Sequence, residues 1–375
     1  MTWWIAWPLA AAMVAPPAQL ERISSAELCG RCHRDILRAW KSSVHAAALE
    51  DPLFLDALEA ATEEFGGRVR SSCLACHAPT VQHSGDARLL QKVSWEGVTC
   101  DLCHSLKSVT LTSGTPRMLV EFDGIKTGPL KDAASSAHGV AFSPVHTSSL
   151  VCAGCHEYRN ALGFSVLTTY SEWQSSSYAT QRTNCQTCHM STAAANVVDP
   201  KIKRVKHTTV NLHQMPGGHS IEQLNKAIGA RLTLAREAGA LQVNVEVSNR
   251  GAGHMVPTGS PLRRLHLEVQ VSSSDGNSYR GERVYRRDVM DSEGRQLLRE
   301  DRVFVQAARA SLDTRLRPGE RRLEQFEFPL PPTTSANVRA LFWYYYSPLP
   351  DSGQQMKVNF LSLAQYAGSE AARTR

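Results

Sequence analysis

The chain has 375 residues, and its content of 42% hydrophobic and 20% charged residues excludes a disordered or low-complexity chain. It contains no internal run of about 18 apolar residues, which excludes a multispanning membrane protein. The formal charge of +6 is uneven: residues 1–200 carry 15 Lys/Arg and 18 Asp/Glu, whereas residues 201–375 carry 26 and 17. No motif in this basic half indicates a nucleic-acid partner.

The N-terminal residues have the pattern of an export signal. An apolar stretch runs from Trp3 to Ala15, the small residues 10–12 offer a cleavage site, and two prolines come next. No Lys or Arg precedes the stretch, so a buried helix or a start codon placed slightly wrong stays an alternative. We predict a signal peptide over residues 1–18.

All ten cysteines fall into five pairs that share one local pattern, C-x-x-C-H. The cysteine pairs are Cys29/Cys32, Cys73/Cys76, Cys100/Cys103, Cys152/Cys155 and Cys185/Cys188, and the histidines next to them are His33, His77, His104, His156 and His189. This pattern is the attachment signature of c-type haem. Each of two thiols at this spacing can add to one vinyl group of a porphyrin, and the adjacent histidine can bind the iron on its proximal side.

Other uses of paired cysteines fit this pattern less well. A structural zinc site needs two C-x-x-C halves or a distant histidine pair, and five halves cannot be shared evenly. A thioredoxin-like pair would occur once, and disulfides do not require an adjacent histidine. Random placement of the histidines would put one after all five pairs with a probability of about 10⁻⁷. We therefore predict five covalently bound haem c groups, attached outside the cytoplasm, in the bacterial periplasm.

We predict a pentahaem cytochrome c domain over residues 21–239, α-helical and rich in loops because the haems would form much of its interior. Ile36, Leu37, Trp40 and Val44 recur at helical spacing after the first motif. Residues 105–150 are rich in Ser, Thr, Gly and Pro and predict a loop.

A capping box at residues 220–223 starts the last predicted helix of this domain. Leu224, Ile228, Leu232 and Leu234 continue an apolar face to about Gly239, which predicts a linker helix.

Beyond Gly239 the hydrophobic period changes to two. Apolar residues alternate with polar ones in four runs, at Leu241–Val247, Leu265–Val271, Phe326–Phe328 and Val338–Tyr344. A turn signal, Asp275-Gly276-Asn277, comes soon after the second run. We predict an antiparallel β-sandwich domain over residues 240–375.

Each haem iron has a second, distal axial position that a further histidine could fill. We predict five such ligands: His45 on the helix after the first motif, His138 in the loop before the fourth, His213 and His219 on either side of a tight turn, and His254 in the Gly-rich loop 251–259. His207 and His146 are the main substitutes. His83 fits a surface position equally well, and His266 is predicted to face solvent.

Trp40-x₄-His45 after the first motif is similar to Trp173-x₄-Tyr178 after the fourth. If the second copy kept the geometry of the first, one haem would face a tyrosine or an open position. The alternative, which we favour, is that Tyr178 packs within the fold.

Three segments resemble those of a known family: Gly97–His104, Tyr170–Trp173 leading to Cys185–Met190, and Gly253–Gly259. They are similar to multihaem c-type cytochromes typified by the tetrahaem electron carrier that serves hydroxylamine oxidoreductase in ammonia oxidisers. Pentahaem nitrite reductase and hydroxylamine oxidoreductase are more distant kin. The resemblance implies stacked haem pairs, mostly bis-His ligation, periplasmic electron transfer, and distal roles for His45, His138, His213 and His254. Pentahaem nitrite reductases hold their catalytic haem with Lys in place of the motif His, whereas all five motifs here end in His.

We predict an electron-transfer protein that works between redox partner proteins, with no catalytic residue. One alternative is an oxidoreductase in which a five-coordinate haem binds a small nitrogen or sulfur oxyanion. Another is a haem subunit of a larger respiratory complex or filament that docks through the β domain. Of the 26 basic residues in 201–375, 21 are Arg, and these could clamp haem propionates or form a solvated basic face.

Overall fold

The computed structural model describes residues 22–204, 207–237, 239–346 and 356–369. The predicted signal peptide lies outside these residues. Within them, no helix combines the length and apolar character needed to span a membrane.

The described chain contains twelve helices of at most 14 residues, and ten of them lie before residue 190. They are α1 (Ala26–Gly30), α2 (Arg34–Lys41), α3 (Pro52–Phe65), α4 (Gly67–His77), α5 (Val81–Ser84), α6 (Cys100–His104), α7 (Leu150–His156), α8 (Thr169–Gln174), α9 (Ser177–Thr180), α10 (Cys185–His189), α11 (Ile221–Ala227) and α12 (Glu300–Gln306). Two 3₁₀ turns lie at residues 92–96 and 144–147. The helix predicted after the first motif is confirmed as α2, and the predicted Val44 lies beyond its end.

Eight short strands lie among these helices and nine further strands come after α11. The first set is β1 (Leu106–Thr112), β2 (Thr115–Val120), β3 (Ile125–Gly128), β4 (Gly139–Phe142), β5 (Tyr158–Arg159), β6 (Ser165–Leu167), β7 (Thr192–Ala194) and β8 (Thr209–Asn211). The second set is β9 (Ile228–Glu237), β10 (Ala240–Asn249), β11 (Arg264–Ser273), β12 (Ser278–Tyr285), β13 (Arg287–Met290), β14 (Arg309–Asp313), β15 (Arg321–Pro329), β16 (Ala336–Tyr345) and β17 (Lys357–Ala367).

The segment predicted as loop over residues 105–150 contains two small sheets, so that prediction is wrong in part. Strands β1 and β2 form a hairpin whose turn residues, Ser113 and Gly114, have φ of 51° and 76°. Positive φ at both central residues is what a tight two-residue hairpin turn requires. Leu106 and Val109 of β1 are buried against Val145. This packing stabilises strands that the polar composition of residues 105–150 did not predict.

The second set of strands forms an antiparallel β domain. One sheet has the order β15–β10–β9 and the other β12–β11–β16–β17, with all pairs antiparallel. The four predicted runs are confirmed as strands β10, β11, β15 and β16. Val243 of the first sheet and Val269 of the second belong to one hydrophobic core and are fully buried. Alternation along each strand therefore buries one face of each sheet.

The linker helix is shorter than predicted. Helix α11 ends at Ala227, and the rest of the predicted helix forms strand β9, which pairs with β10 along its whole length. Leu232 and Leu234 are two residues apart, a spacing that also suits a strand, and Gly239 has the positive φ (84°) that the turn into β10 requires. Pairing with an apolar neighbouring strand overrides the helical pattern.

Candidate functional site

Each C-x-x-C-H motif lies on or beside a short helix. The third and fifth motifs fill α6 and α10, the second and fourth end α4 and α7, and the first runs from α1 into the turn before α2. Helical residues at i, i+3 and i+4 share one face. A motif in this conformation therefore presents two thiols and one imidazole toward the same volume.

All five motifs open into one cavity of about 2380 Å³, which is lined by the ten cysteines and the five motif histidines. A site for one small molecule usually measures about 300–1,000 Å³. The ten cysteines form no disulfides. The cavity therefore has the size and the attachment groups for several large prosthetic groups.

Four motif histidines are oriented by a hydrogen bond from Nδ1 to a backbone carbonyl. The pairs are His33 to Val197 (2.5 Å), His77 to Ala48 (3.3 Å), His104 to Thr127 (2.7 Å) and His189 to Pro216 (2.6 Å). A carbonyl can only accept, so Nδ1 carries the proton and the Nε2 lone pair is free. Histidines that bind metals usually have this second hydrogen bond.

Three of the predicted distal histidines have the same arrangement. Their Nδ1 atoms donate to the carbonyls of Gly139 (from His138, 2.9 Å), Asn211 (from His213, 2.7 Å) and Met255 (from His254, 2.8 Å). A fourth, His45, instead donates to the Met215 thioether, with an Nδ1–Sδ distance of 2.9 Å.

The structure brings four predicted distal histidines opposite four motif histidines. The distances between ring centres are 6.3 Å for His33 and His138, 6.2 Å for His156 and His45, 6.4 Å for His104 and His213, and 6.3 Å for His189 and His254. A metal–imidazole bond of about 2.0–2.1 Å, with the ring centre about 1.1 Å further on, separates two rings across one iron by about 6.3 Å. These side chains therefore fit four haems with two histidine ligands each.

Burial favours the neutral form of five of the eight paired imidazoles. Loss of solvation lowers the pKa of His156 to about 3 and the pKa of His213 to about 4. It also lowers the pKa values of His45, His104 and His254. Neutral imidazole is the form that binds a metal.

The second motif differs from the other four. His77 has no histidine among its ring contacts in the described ranges; its ring stacks on Phe54, at 3.6 Å between centres and 6° between planes. This distance is too short to span an iron, so Phe54 supports the imidazole from the side. The remaining predicted distal ligand, His219, stacks on Tyr346 at 4.4 Å and does not contact a motif histidine ring.

A polar cluster lines the cavity near the second motif. The carboxylate of Asp51 lies within electrostatic range of His77, His219 and Glu300. Arg263 is in range of the same His219 and Glu300, and its guanidinium donates to the Tyr344 hydroxyl and the Thr258 carbonyl.

Arg263 is the exception among the β-domain arginines. It is the only one of them in the described chain that lines the cavity, and it forms no carboxylate ion pair there. Arg283, Arg286 and Arg322 instead pair with carboxylates within the β domain.

Sulfur atoms of different motifs adjoin one another. The Cys29 thiol is hydrogen-bonded to Cys100, the Cys76 thiol to Cys155, and the Cys152 thiol to Cys185. Cys103 lies within electrostatic range of both Cys152 and Cys155. The fourth motif is therefore next to the second, the third and the fifth.

The substitute histidines lie elsewhere. His146 stacks on His104 at 5.5 Å, but its Nε2 is hydrogen-bonded to the Thr127 hydroxyl (3.1 Å). His207 is hydrogen-bonded to Asp132, and His83 contacts Phe122.

Two further residues are held by contacts outside the motifs. The Tyr178 hydroxyl donates to the Arg250 carbonyl, which agrees with a packing role. His266, predicted to face solvent, has only 15% of its side chain exposed, because Tyr345 covers it and Glu282 accepts from its Nδ1.

Glu172 of α8 positions the loop that carries His254. Its Oε2 accepts from the Met255 amide at 3.2 Å and from the Thr258 hydroxyl at 2.7 Å. Sequence analysis missed this role, and it missed Phe54, Met215 and Arg263. Met215 lies between His213 and His219 and was the only one of these with a nearby sequence signal.

Comparisons with known proteins agree with this geometry. Residues 28–105, which contain the first three motifs, match the family model of cytochrome c554 and c-prime. The penta-haem cytochrome c552 of Thermochromatium tepidum is similar to the chain with a TM-score of 0.74 and 23% identity, over 92% of this chain and 99% of that one.

A weaker match is the putative ApaA protein of Bordetella pertussis, with 11% identity and a TM-score of 0.20 over 38% of this chain and 91% of that chain. That score is too low to indicate a shared fold. No match was found among curated proteins. The chain therefore has the fold of a multihaem c-type cytochrome.

Proposed function

We propose that the protein is an exported pentahaem cytochrome c that carries electrons between redox partner proteins. The observation that carries the proposal is the set of four histidine pairs, each separated by 6.2–6.4 Å, within one cavity that all five motifs line. Bound haem supplies one-electron iron chemistry. The chain supplies two cysteines to anchor each macrocycle and a pair of histidines for four of the five irons.

The proposal has three further parts: a β-sandwich fold for the β domain, kinship with a known electron carrier, and export. The shared core of the two sheets supports a β-sandwich. The match of residues 28–105 supports kinship with the tetrahaem carrier of ammonia oxidisers. Export to the periplasm is expected from covalent haem attachment, and a membrane respiratory complex is one class of partner for such a carrier.

Haem counting tests this proposal. The mass of the purified protein and its pyridine haemochrome spectrum should give five haems per chain, and the N-terminus of mature protein should begin after residue 18. Cys185→Ala together with Cys188→Ala should remove one haem, whereas Ser177→Ala, at an exposed position, should remove none. A chain without covalent haem would overturn the proposal.

A second candidate function rests on His77, which has no histidine opposite it. We propose that the iron of the second motif keeps an open position and binds a small oxyanion there. Arg263 forms no ion pair with a carboxylate of the described chain, although Glu300 lies within electrostatic range; it supplies the positive charge, and Tyr344 contacts it.

Nitrite is the probe for this open position. Electron paramagnetic resonance should show one high-spin haem among five. Added nitrite should change this high-spin signal and leave the low-spin signals unaltered. Arg263→Gln should weaken nitrite binding, whereas Arg250→Gln, outside the cavity, should not. A shift in haem potentials without a change in nitrite affinity would assign Arg263 to a haem propionate, and five low-spin haems would rule out the open position.

A further inference from the structure

One histidine pair lacks the hydrogen bonds that the other pairs share. His156 makes no ring hydrogen bond with any described residue, and its partner His45 donates only to the Met215 thioether. In the other three pairs, both imidazoles donate from Nδ1 to a carbonyl. The fourth motif is therefore the exception on both sides of its iron.

This difference changes the ligand strength of the two imidazoles. Donation from Nδ1 to a carbonyl moves electron density onto Nε2 and makes the ring a more basic ligand, which favours ferric iron. A thioether is a weak acceptor, so His45 gains little by its bond to Met215. Since no described residue accepts from the His156 ring, this pair favours ferrous iron relative to the other pairs.

The charges around His156 act in the same direction. The Arg263 guanidinium lies within electrostatic range of the ring. Ferric haem carries one more positive charge than ferrous haem. A nearby cation disfavours that charge, as it disfavours protonated histidine.

The fourth motif lies next to three other motifs, so its preference for ferrous iron affects electron transfer from all three. Its cysteines adjoin Cys76 of the second motif and Cys185 of the fifth, and Cys103 of the third lies in range of both. Electrons that enter at any of these three motifs can thus reach the fourth in one step.

We propose that the haem held by Cys152, Cys155, His156 and His45 has the highest potential of the four haems with two histidine ligands and is the point where electrons collect. The inference rests on the proposed binding of five haems. Its electron balance is simple: one neighbouring ferrous centre gives up one electron and becomes ferric, and the ferric centre at the fourth motif becomes ferrous.

The angle between imidazole planes makes this centre spectroscopically distinct. His45 and His156 are inclined by 65°, whereas the other three pairs are inclined by 43°, 26° and 17°. Steeply crossed imidazoles give a low-spin signal with a larger maximum g value than near-parallel ones do. In a potentiometric titration monitored by electron paramagnetic resonance, the large-g signal should vanish first among the low-spin signals as the potential falls.

Met215 offers a matched pair of variants. Met215→Gln places an amide oxygen next to His45, and the stronger acceptor should raise the ferric-to-ferrous ratio of the large-g centre about fivefold at a fixed potential. Met215→Leu keeps the volume and adds no acceptor, so it should not produce that rise. If the Gln variant fails to fold, the titration of the unaltered protein still shows which low-spin haem has the highest potential.

Two outcomes separate the inference from the function on which it rests. Loss of a near-parallel signal before the large-g signal would overturn the inference and leave the pentahaem carrier intact. Fewer than five haems per chain would instead overturn the function.

Discussion

Glu172 and Arg315 form an ion pair of 2.7 Å between the motif-bearing half and the β domain, with only 7% and 8% of their side chains exposed. Arg315 also pairs with Asp313 at 2.8 Å. The other oxygen of Glu172 holds the loop of His254. One carboxylate thus connects helix α8, the β domain and a distal histidine.

Removing Arg315 should destabilise the protein strongly. Arg315→Met leaves the buried Glu172 carboxylate without its cation, and a buried charge that loses its partner costs about 3–5 kcal/mol. Denaturant unfolding of the haem-loaded protein measures the change. Lys226→Met is the control, because its partner Glu222 is 79% exposed and such pairs contribute at most about 1 kcal/mol. Equal effects of the two variants would contradict the structural role of the buried pair.

The spin state of the haem at the third motif can show which of two candidate histidines is its distal ligand. His213→Ala should convert it from low-spin to high-spin, because the Nε2 of His213 is free to bind iron. His146→Ala should leave it low-spin, because the Nε2 of His146 is engaged by Thr127. Optical and paramagnetic resonance spectra of both variants measure the change, and the reverse pattern would assign the ligand to His146.

A buried carboxylate supports the helix of the third motif. Asp101 accepts hydrogen bonds from the Ser24 amide at 2.6 Å and the Ser105 hydroxyl at 2.9 Å, and it pairs with Lys126. Asp101→Asn should destabilise the protein by about 3 kcal/mol or more, because Lys126 loses its counter-charge in a buried site. Glu27→Gln, at an ion pair with Lys41 in which both side chains are more than half exposed, should change the stability far less. Thermal or denaturant unfolding of both variants provides the comparison.

Glu300 predicts a pH dependence of stability. Burial raises the pKa of Glu300 to about 7, with Asp51 and Asp301 acting in the same direction, whereas Ser260 and Arg263 oppose the change. The folded chain keeps this proton where the unfolded chain has lost it. The contribution is therefore full below about pH 4.5 and decreases, by up to about 3 kcal/mol, as the pH rises to about 7.

Glu300→Gln isolates this effect. The variant should lose part of the pH dependence between pH 5 and pH 8 and should be more stable than the unaltered protein at pH 8. Urea unfolding at the two pH values measures it. An unchanged pH dependence would show that Glu300 ionises normally in the folded chain.

The motifs could be read from sequence because the chemistry of attachment is local. Two thiols and an imidazole within five residues need no tertiary information, and the same holds for the alternating pattern of Leu241–Val247. Distal ligands depend on contacts between distant segments. Nothing local distinguishes His213, whose Nδ1 donates to Asn211, from His146, whose Nε2 is occupied by Thr127.

For helix α11, the sequence predicted the start of the helix correctly but not its end. The capping box at Ser220 predicted a helix start correctly, since the Ser220 hydroxyl accepts from the Gln223 amide at 3.2 Å. The residues after Ala227 have an apolar pattern compatible with a helix or a strand. Pairing with β10 decides between them, and that pairing is not visible in residues 221–239 alone.

The bond from His33 to Val197 joins residues 164 positions apart. Two more contacts reinforce it: the Asp199 amide donates to the Cys32 carbonyl at 2.8 Å, and the Asn196 amide donates to Asp35 at 3.0 Å. Ribosomes make a chain from its N-terminus, so the earliest attachment sequence waits for residues 196–199 before its histidine is oriented. Orientation of the first motif histidine is thereby tied to the segment that follows the last motif.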